Sequence, residues 1–239
     1  MKPLLNDLAG RGSASGIPPL EPGDRLTRDE FERRYEAMPH LTKAELIEGV
    51  VYMPSPVRLY RHGQPHADLI TVLGVYRAAT VGVGVADNTT ARLDLDNEHQ
   101  PDVMMFIEPA FGGQSRTSDA DYLEGAPELA AEVASSSVSF DLHTKLNVYR
   151  RCGVIEYIEW RVLDGAIDWL VLAGGAYEPL VAEADAILRS RVFPGLWLDA
   201  QSLVRGDLAK VLTVLQKGLA SPEHAQFVER LKQAAAKPT

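Results

Sequence analysis

The stretch Leu129-Ala130-Ala131-Glu132-Val133-Ala134 sets one carboxylate inside a run of otherwise small and apolar residues. A short run of that character reads as an interior strand, and a carboxylate is almost never buried unless it is paired or bound to a metal. Asp102 makes a similar demand. It follows Pro101 at the start of the apolar strand pattern Val103–Ile107, where its carboxylate lies at a sheet end. The charge distribution around them is one-sided: from Thr117 through Thr144 there is no Lys or Arg, while Asp119, Asp121, Glu124, Glu128, Glu132 and Asp141 all fall there. Carboxylates gathered in this way repel one another unless something cationic sits among them. Lys145 follows directly.

The surrounding pattern gives a coarse element order. Residues 1–23, rich in Gly, Ser and Pro, read as a flexible arm. Thr27 with Glu30 is a capping box opening a helix through about Met38. Ala44–Met53 reads as two strands about a Gly turn, and a helix from about Pro65 to Thr80 carries Leu69, Val72, Leu73 and Tyr76 at helical spacing. Strand-like stretches follow at 81–95, 101–107 and 129–134, the last two separated by a Gly-rich loop, 111–125. Ser139 or Asp141 caps a helix to Arg151, with Gly153 just past its end. Residues 154–162 and 166–172 pair across Asp164-Gly165, 177–181 is a further strand, and 200–236 forms one or two helices. The order predicts an α/β (α+β) fold with a mixed central sheet flanked by helices. The expected organisation is an arm at 1–23, a main domain at 24–200 and a helical extension at 201–239.

Composition narrows the function. Among 239 residues Cys152 is the one cysteine, so neither an internal disulfide nor a cysteine zinc cluster can form, which fits a reducing compartment. The net charge of −9 argues against a non-specific nucleic-acid coat protein, yet allows a nuclease with a local basic groove. No apolar run approaches the ~20 residues of a membrane span, and Pro3, Asn6 and Asp7 interrupt any leader-like core. A cytoplasmic protein is expected. His62 and His66, four apart, have Gly63 and Pro65 between them and no accompanying Glu, which speaks against a zinc helix. Ser135-Ser136-Ser137 lacks a nucleophile-elbow context, and there is no phosphate-cradling loop ending in Lys.

Two carboxylates on adjacent strands with a Lys nearby suit phosphodiester hydrolysis. Hard oxygen ligands favour Mg²⁺ or Mn²⁺. Such an ion polarises a phosphate and lowers the pKa of a bound water. On this reading Asp102 and Glu132 are the metal ligands and Lys145 orients water or stabilises charge on the phosphate. Plainer readings stand beside it: Asp102 as a strand-start hydrogen bonder, Glu132 salt-bridged to Arg92 or Arg116, Lys145 as a helical ion pair with Asp141, and Glu48 as a turn residue.

The chain resembles the Uma-type restriction endonuclease family of the PD-(D/E)XK nuclease superfamily over roughly residues 28–200. The resemblance rests on Glu45-Leu46-Ile47-Glu48-Gly49, His66, Pro101-Asp102 and the run Gly125–Ser135. It continues through Asp141, Lys145, Tyr149, Gly153–Tyr157 and Phe193-Pro194-Gly195-Leu196. It implies a restriction-endonuclease-like fold, with Asp102 and Glu132 holding the divalent metal. The superfamily's Lys two residues after the Glu is replaced by Ala134, and the resemblance moves that role to Lys145 on the next helix. Glu48 matches an additional acidic position. DNA is then the expected substrate, with Arg58, Arg61 and His66 as its candidate contacts and a homodimer as the assembly suited to cutting two strands. Two rivals remain: a non-catalytic binding or regulatory module on a nuclease scaffold, and a hydrolase of small phosphorylated compounds.

Overall fold

A computed structural model describes residues 16–53, 57–134 and 140–236. The first helix, α1 (Arg28–Glu36), starts where expected, but the Thr27 side chain makes no capping bond, and Glu30 pairs with Arg33 and Arg34 instead. The hairpin β1 (Glu45–Ile47) and β2 (Val50–Tyr52) turns on two residues, Glu48 (φ 53) and Gly49 (φ 70). Two consecutive positive φ values are the signature of the tight turn whose twist suits a hairpin. A five-residue π-helical turn (Leu59–Gly63), absent from the sequence expectation, feeds α2 (Gln64–Ala79). Then come β3 (Val83–Asp87), β4 (Ala91–Arg92), β5 (Glu98–His99), β6 (Val103–Ile107), β7 (Arg116–Thr117), β8 (Leu123–Glu124) and β9 (Leu129–Ala134). The remaining elements are α3 (Phe140–Cys152), β10 (Glu156–Arg161), β11 (Ala166–Ala173), β12 (Ala176–Pro179), β13 (Leu188–Arg189) and β14 (Trp197–Leu198). Three helices end the chain, α4 (Ala200–Val204), α5 (Leu208–Leu219) and α6 (Pro222–Ala235), where one or two were expected. Ser139 and the side chain of Asp141, the expected caps of α3, lie outside the described residues, as do the Ser135–Ser137 run and most of the N-terminal arm.

The mixed α/β class holds, with two large sheets rather than one. The main sheet runs β12-β11-β10-β9-β6-β3 and is antiparallel except for the β9–β10 pair. Parallel neighbours need a crossover, and α3 supplies it. The second sheet, β2-β1-β5-β4-β8-β7, is built from short strands and is likewise mixed. Alternation along the strands sorts the two faces of the main sheet. Val103, Met105, Leu129, Ala131 and Val133 pack with Leu69, Leu73 and Tyr76 of α2, and Val211, Leu215, Phe227 and Leu231 of the last two helices join this same core. Met104, Ala130 and Tyr157 face the other way, onto Val148 and Tyr149 of α3 and onto Ile47, Ala91 and Leu123 of the second sheet. Asp102 and Glu132 share the parity of Met104 and Ala130, so both carboxylates belong to the face that α3 and the second sheet cover.

Several buried acids serve the scaffold. Glu156 is fully buried and accepts from the Arg191 and Val192 backbone N–H groups, the Ser190 hydroxyl and the Trp169 indole. Glu128 accepts from the backbone N–H groups of Ile107 and Gln114 and so staples the Gly-rich loop to the sheet. Glu98 is different, because it faces another carboxylate. Arg92 bridges Glu98 and Glu32 (3.6 and 2.9 Å), tying α1 to the second sheet, while its guanidinium lies 4.0 Å from the centre of the Tyr122 ring. Burial first, and then Glu32, push the Glu98 carboxyl up to about 8 against the pull of Arg92. The folded chain therefore holds a proton there that the unfolded chain releases near its ordinary value of 4.5. The resulting stability is fully present below that value and is lost as pH rises through about 8. In urea unfolding from pH 5 to 8, the wild type should lose stability relative to Glu98→Gln by up to about 1.4 kcal/mol per pH unit. A pH-independent difference between the two would show that Glu98 carries no such proton.

Candidate active site

At the ends of β6 and β9 a pocket of about 630 Å³ opens, lined among others by Lys43, Glu45, His62, His66, Asp102, Glu132 and Lys145. Three separately folded pieces supply its charges. The β1 strand carries Glu45 on the same side as Ile47, with Leu46 turned toward the small core around Phe31. The β6–β9 register sets Val103 opposite Ala131, and its continuation brings Asp102 beside Glu132. On α3, Lys145, Val148, Tyr149 and Cys152 recur at one face of the helix, so Lys145 and Tyr149 reach the sheet together.

The Lys145 ammonium is the hub. Its Nζ lies 2.9 Å from Glu45 Oε1 and 3.2 Å from Glu132 Oε1, and the Tyr149 hydroxyl donates to the same Glu132 oxygen at 2.9 Å. All four residues are buried. Burial favours the neutral form of Lys145, but the two carboxylates outweigh it and hold the ammonium well above the usual lysine range. The acids divide the remaining load unequally. Burial pushes the Glu132 carboxyl up to about 7, with Asp102 and Glu45 adding repulsion that Lys145 only partly offsets. Glu45 is also penalised by burial, yet Lys145, then Lys43 and the Gln100 N–H, keep it below the usual carboxylate range. One ammonium cannot compensate three acids, and the proton falls to the one with the least other support.

Asp102 is held at the pocket wall. Its Oδ2 accepts from the Val133 backbone N–H (2.8 Å) and from His62 Nε2 (3.1 Å), and its Oδ1 stands 3.8 Å from Lys43 Nζ. These partners overcome its burial and lower its pKa. His66 Nε2 meets the Asp102 backbone carbonyl at 2.9 Å and Asp87 Oδ1 at 3.0 Å. His99, whose ring lies edge-on to Tyr149 at 5.2 Å, is buried with neither ring nitrogen partnered among the described residues, and burial drives its pKa down to about 3.

The geometry thus brings Asp102, Glu132 and Lys145 together. Glu48 does not join them. At the apex of a tight turn its carboxylate points outward and pairs with Arg151 at 2.6 Å. Glu45, three residues earlier, takes the place in the pocket. Arg92 and Arg116 are engaged by Glu32, Glu98 and Glu124, so neither is the cation that pairs with Glu132. Arg58 and Arg61 are exposed on the segment that leads into the pocket rim at His62. Glu45, His62, Lys43 and Tyr149 were not assigned roles from sequence. The signal for Glu45 was there: an acid opening an apolar strand, as Asp102 does.

Among the described residues no group of three or more His, Cys, Asp or Glu side chains is set to hold a metal ion. The donor chemistry nevertheless suits a hard cation. Asp102 Oδ1 and Glu132 Oε2 each lack a hydrogen-bond partner among the described residues while their sister oxygens are saturated, and both residues line the same pocket. A divalent ion would also offset the burial and the neighbouring carboxylates that together raise the Glu132 pKa.

The Uma2 family model, described as "Putative restriction endonuclease", matches residues 28–201. A solved structure titled as that of "a putative nuclease belonging to DUF820", from Anabaena variabilis, superimposes with a TM-score of 0.54 at 14% identity, covering 80% of this chain and 99% of that one. At that identity it speaks for the fold. No curated protein matches the chain.

Removing the hub cation leaves two buried carboxylates facing each other. Lys145→Met should cost about 3–5 kcal/mol in urea unfolding. Adding Glu132→Gln should restore part of the loss, because the second substitution removes one of the stranded charges. Strictly additive losses would show that Lys145 and Glu132 are not coupled.

Proposed function

The chain belongs to the Uma2 restriction endonuclease family, and from that membership and the pocket geometry we propose that it hydrolyses phosphodiester bonds in DNA with the help of Mg²⁺ or Mn²⁺. The observation that carries the proposal is the pairing of two half-satisfied carboxylates, Asp102 and Glu132, with the Lys145 ammonium in one pocket. Asp102 and Glu132 would hold the ion. When bound, the ion supplies Lewis-acid polarisation of the phosphate and a more acidic water.

The remaining tasks fall to the chain itself. Lys145 places a fixed positive charge where the phosphate oxygens gain charge as water adds to phosphorus. Glu45 anchors that ammonium from the second sheet, so the charge is preorganised. Tyr149 fixes one Glu132 oxygen, so that the other is the one available to an ion. His62 and the Val133 N–H do the same for Asp102. Lys43 at the wall and Arg58 and Arg61 on the rim supply cations for the flanking backbone phosphates.

One observation favours a second reading, a binding module without catalysis: Ala134 stands where the superfamily has its Lys, and Lys145 is already paired with two carboxylates. Calorimetric titration with Mn²⁺ separates the two. The wild type should bind the ion and nick DNA in its presence, while Asp102→Ala and Glu132→Ala lose both yet unfold cooperatively. An absence of metal binding and nicking at millimolar ion, with DNA present, would favour the binding module.

The rim arginines make a second expectation. Arg58→Ala and Arg61→Ala should each weaken DNA binding evenly across sequences and reduce the slope of log K against log salt by about 1. An unchanged slope would remove that arginine from the phosphate contacts.

A further inference from the structure

The π-helical turn Leu59–Gly63 separates two depressions. His62 and Gly63 line the carboxylate pocket, whereas Tyr60 and Gln64 line a smaller groove of about 160 Å³ whose other walls include Trp160 and Asp68. The segment that leads into this turn, with the start of the turn, is unusual in what it exposes, Val57 lining the carboxylate pocket and Tyr60 the groove. Val57 is 67% exposed, Leu59 65% and Tyr60 79%, three large apolar side chains within four residues. Scattered exposed apolar residues are ordinary on a protein surface, but a cluster of them marks a contact site. Arg58 and Arg61 bracket Leu59-Tyr60, and no Asp or Glu occurs from Gly49 through Ala67, although the chain has 33 acidic residues. The groove also has a polar edge. Asp68 is only 9% exposed, and its one side-chain hydrogen bond among the described residues comes from Gln64 Nε2 at 2.9 Å. Its second oxygen has no hydrogen-bond partner among the described residues.

We propose that this groove receives an unpaired nucleobase of the substrate strand, stacked against Tyr60 with its amino edge on Asp68, while the neighbouring phosphate lies in the carboxylate pocket. The proposal rests on the phosphodiesterase reading and adds a substrate class, single-stranded or locally unpaired DNA. Aromatic walls hold bases of any sequence because every base has a π-face, and flanking arginines follow the backbone. An apolar protein or lipid partner would instead desolvate the Asp68 carboxylate without a donor for it. A carboxylate acceptor favours cytosine, whose exocyclic amine donates, over thymine, which presents a carbonyl there.

The test uses the full chain with 12-nucleotide single strands carrying 2-aminopurine, their cytosine- and thymine-rich versions, and the matched duplex. The wild type should bind the single strand at least tenfold more tightly than the duplex and quench the 2-aminopurine emission. Tyr60 is exposed, so Tyr60→Ala should fold, and it should lose roughly 5- to 150-fold in single-strand affinity. Asp68→Asn should erase the preference for cytosine. Equal affinity for strand and duplex, or a Tyr60→Ala variant that binds the single strand like the wild type, overturns the groove assignment. If duplex is still cut at the wild-type rate in that case, the phosphodiesterase reading survives alone. A wild type that neither binds nor cuts any nucleic acid overturns both.

Discussion

The ammonium of Lys145, shared between Glu45 and Glu132, joins the second sheet, the main sheet and the α3 crossover at a single point. Each of these carboxylates would be costly to bury without a partner, and the Lys145 ammonium serves both. The elements are therefore compelled to meet where one cation can serve both acids. The compensation is incomplete, because Asp102 brings a third negative charge to the same pocket and Glu132 holds its proton to about 7. A site that retains unsatisfied negative charge after folding is one that still has affinity for a cation.

The buried acids fall into two physical kinds. Glu128 and Glu156 are saturated by N–H and hydroxyl donors and tie loops to strands. Asp102 and Glu132 each have one oxygen hydrogen-bonded to the protein and the other without a hydrogen-bond partner among the described residues, and both line one pocket. Burial alone does not separate these kinds, since all four are nearly inaccessible. What separates them is whether the second oxygen finds a hydrogen-bond donor among the described residues. His99 beside Tyr149, with no hydrogen-bond partner among the described residues and its pKa lowered by burial, fits the same balance: a protonated imidazole there would compete with Lys145 for Glu45.

Much of this was legible in the chain. The capless but well-placed first helix, the 45–52 hairpin, the apolar face of α2, the 129–134 strand and the 156–173 hairpin all follow from local pattern, because period and turn chemistry are local properties. The π-turn was not legible; in the structure its His62 meets Asp102, forty residues away in sequence. The division of the strands between two sheets was also hidden. The strands β4, β5, β7 and β8 are two residues long, too short to carry an alternation, and find their places only through partners distant in sequence. Glu48 was singled out because it matches the family's additional acidic position, and only the turn geometry shows that Glu45 is the acid that enters the pocket.

The sequence by itself placed Glu132 in an interior strand and required a partner for its carboxylate, because the residues around it are small and apolar. It also determined the mixed α/β class, through the order of its periodic segments. The tertiary structure decided which cation answers, which acid shares it and which oxygens remain open. Those outcomes depend on contacts between residues 100 and 13 positions apart, Lys145 with Glu45 and with Glu132. Only the packing of α3 between the two sheets brings such distant groups within hydrogen-bonding distance.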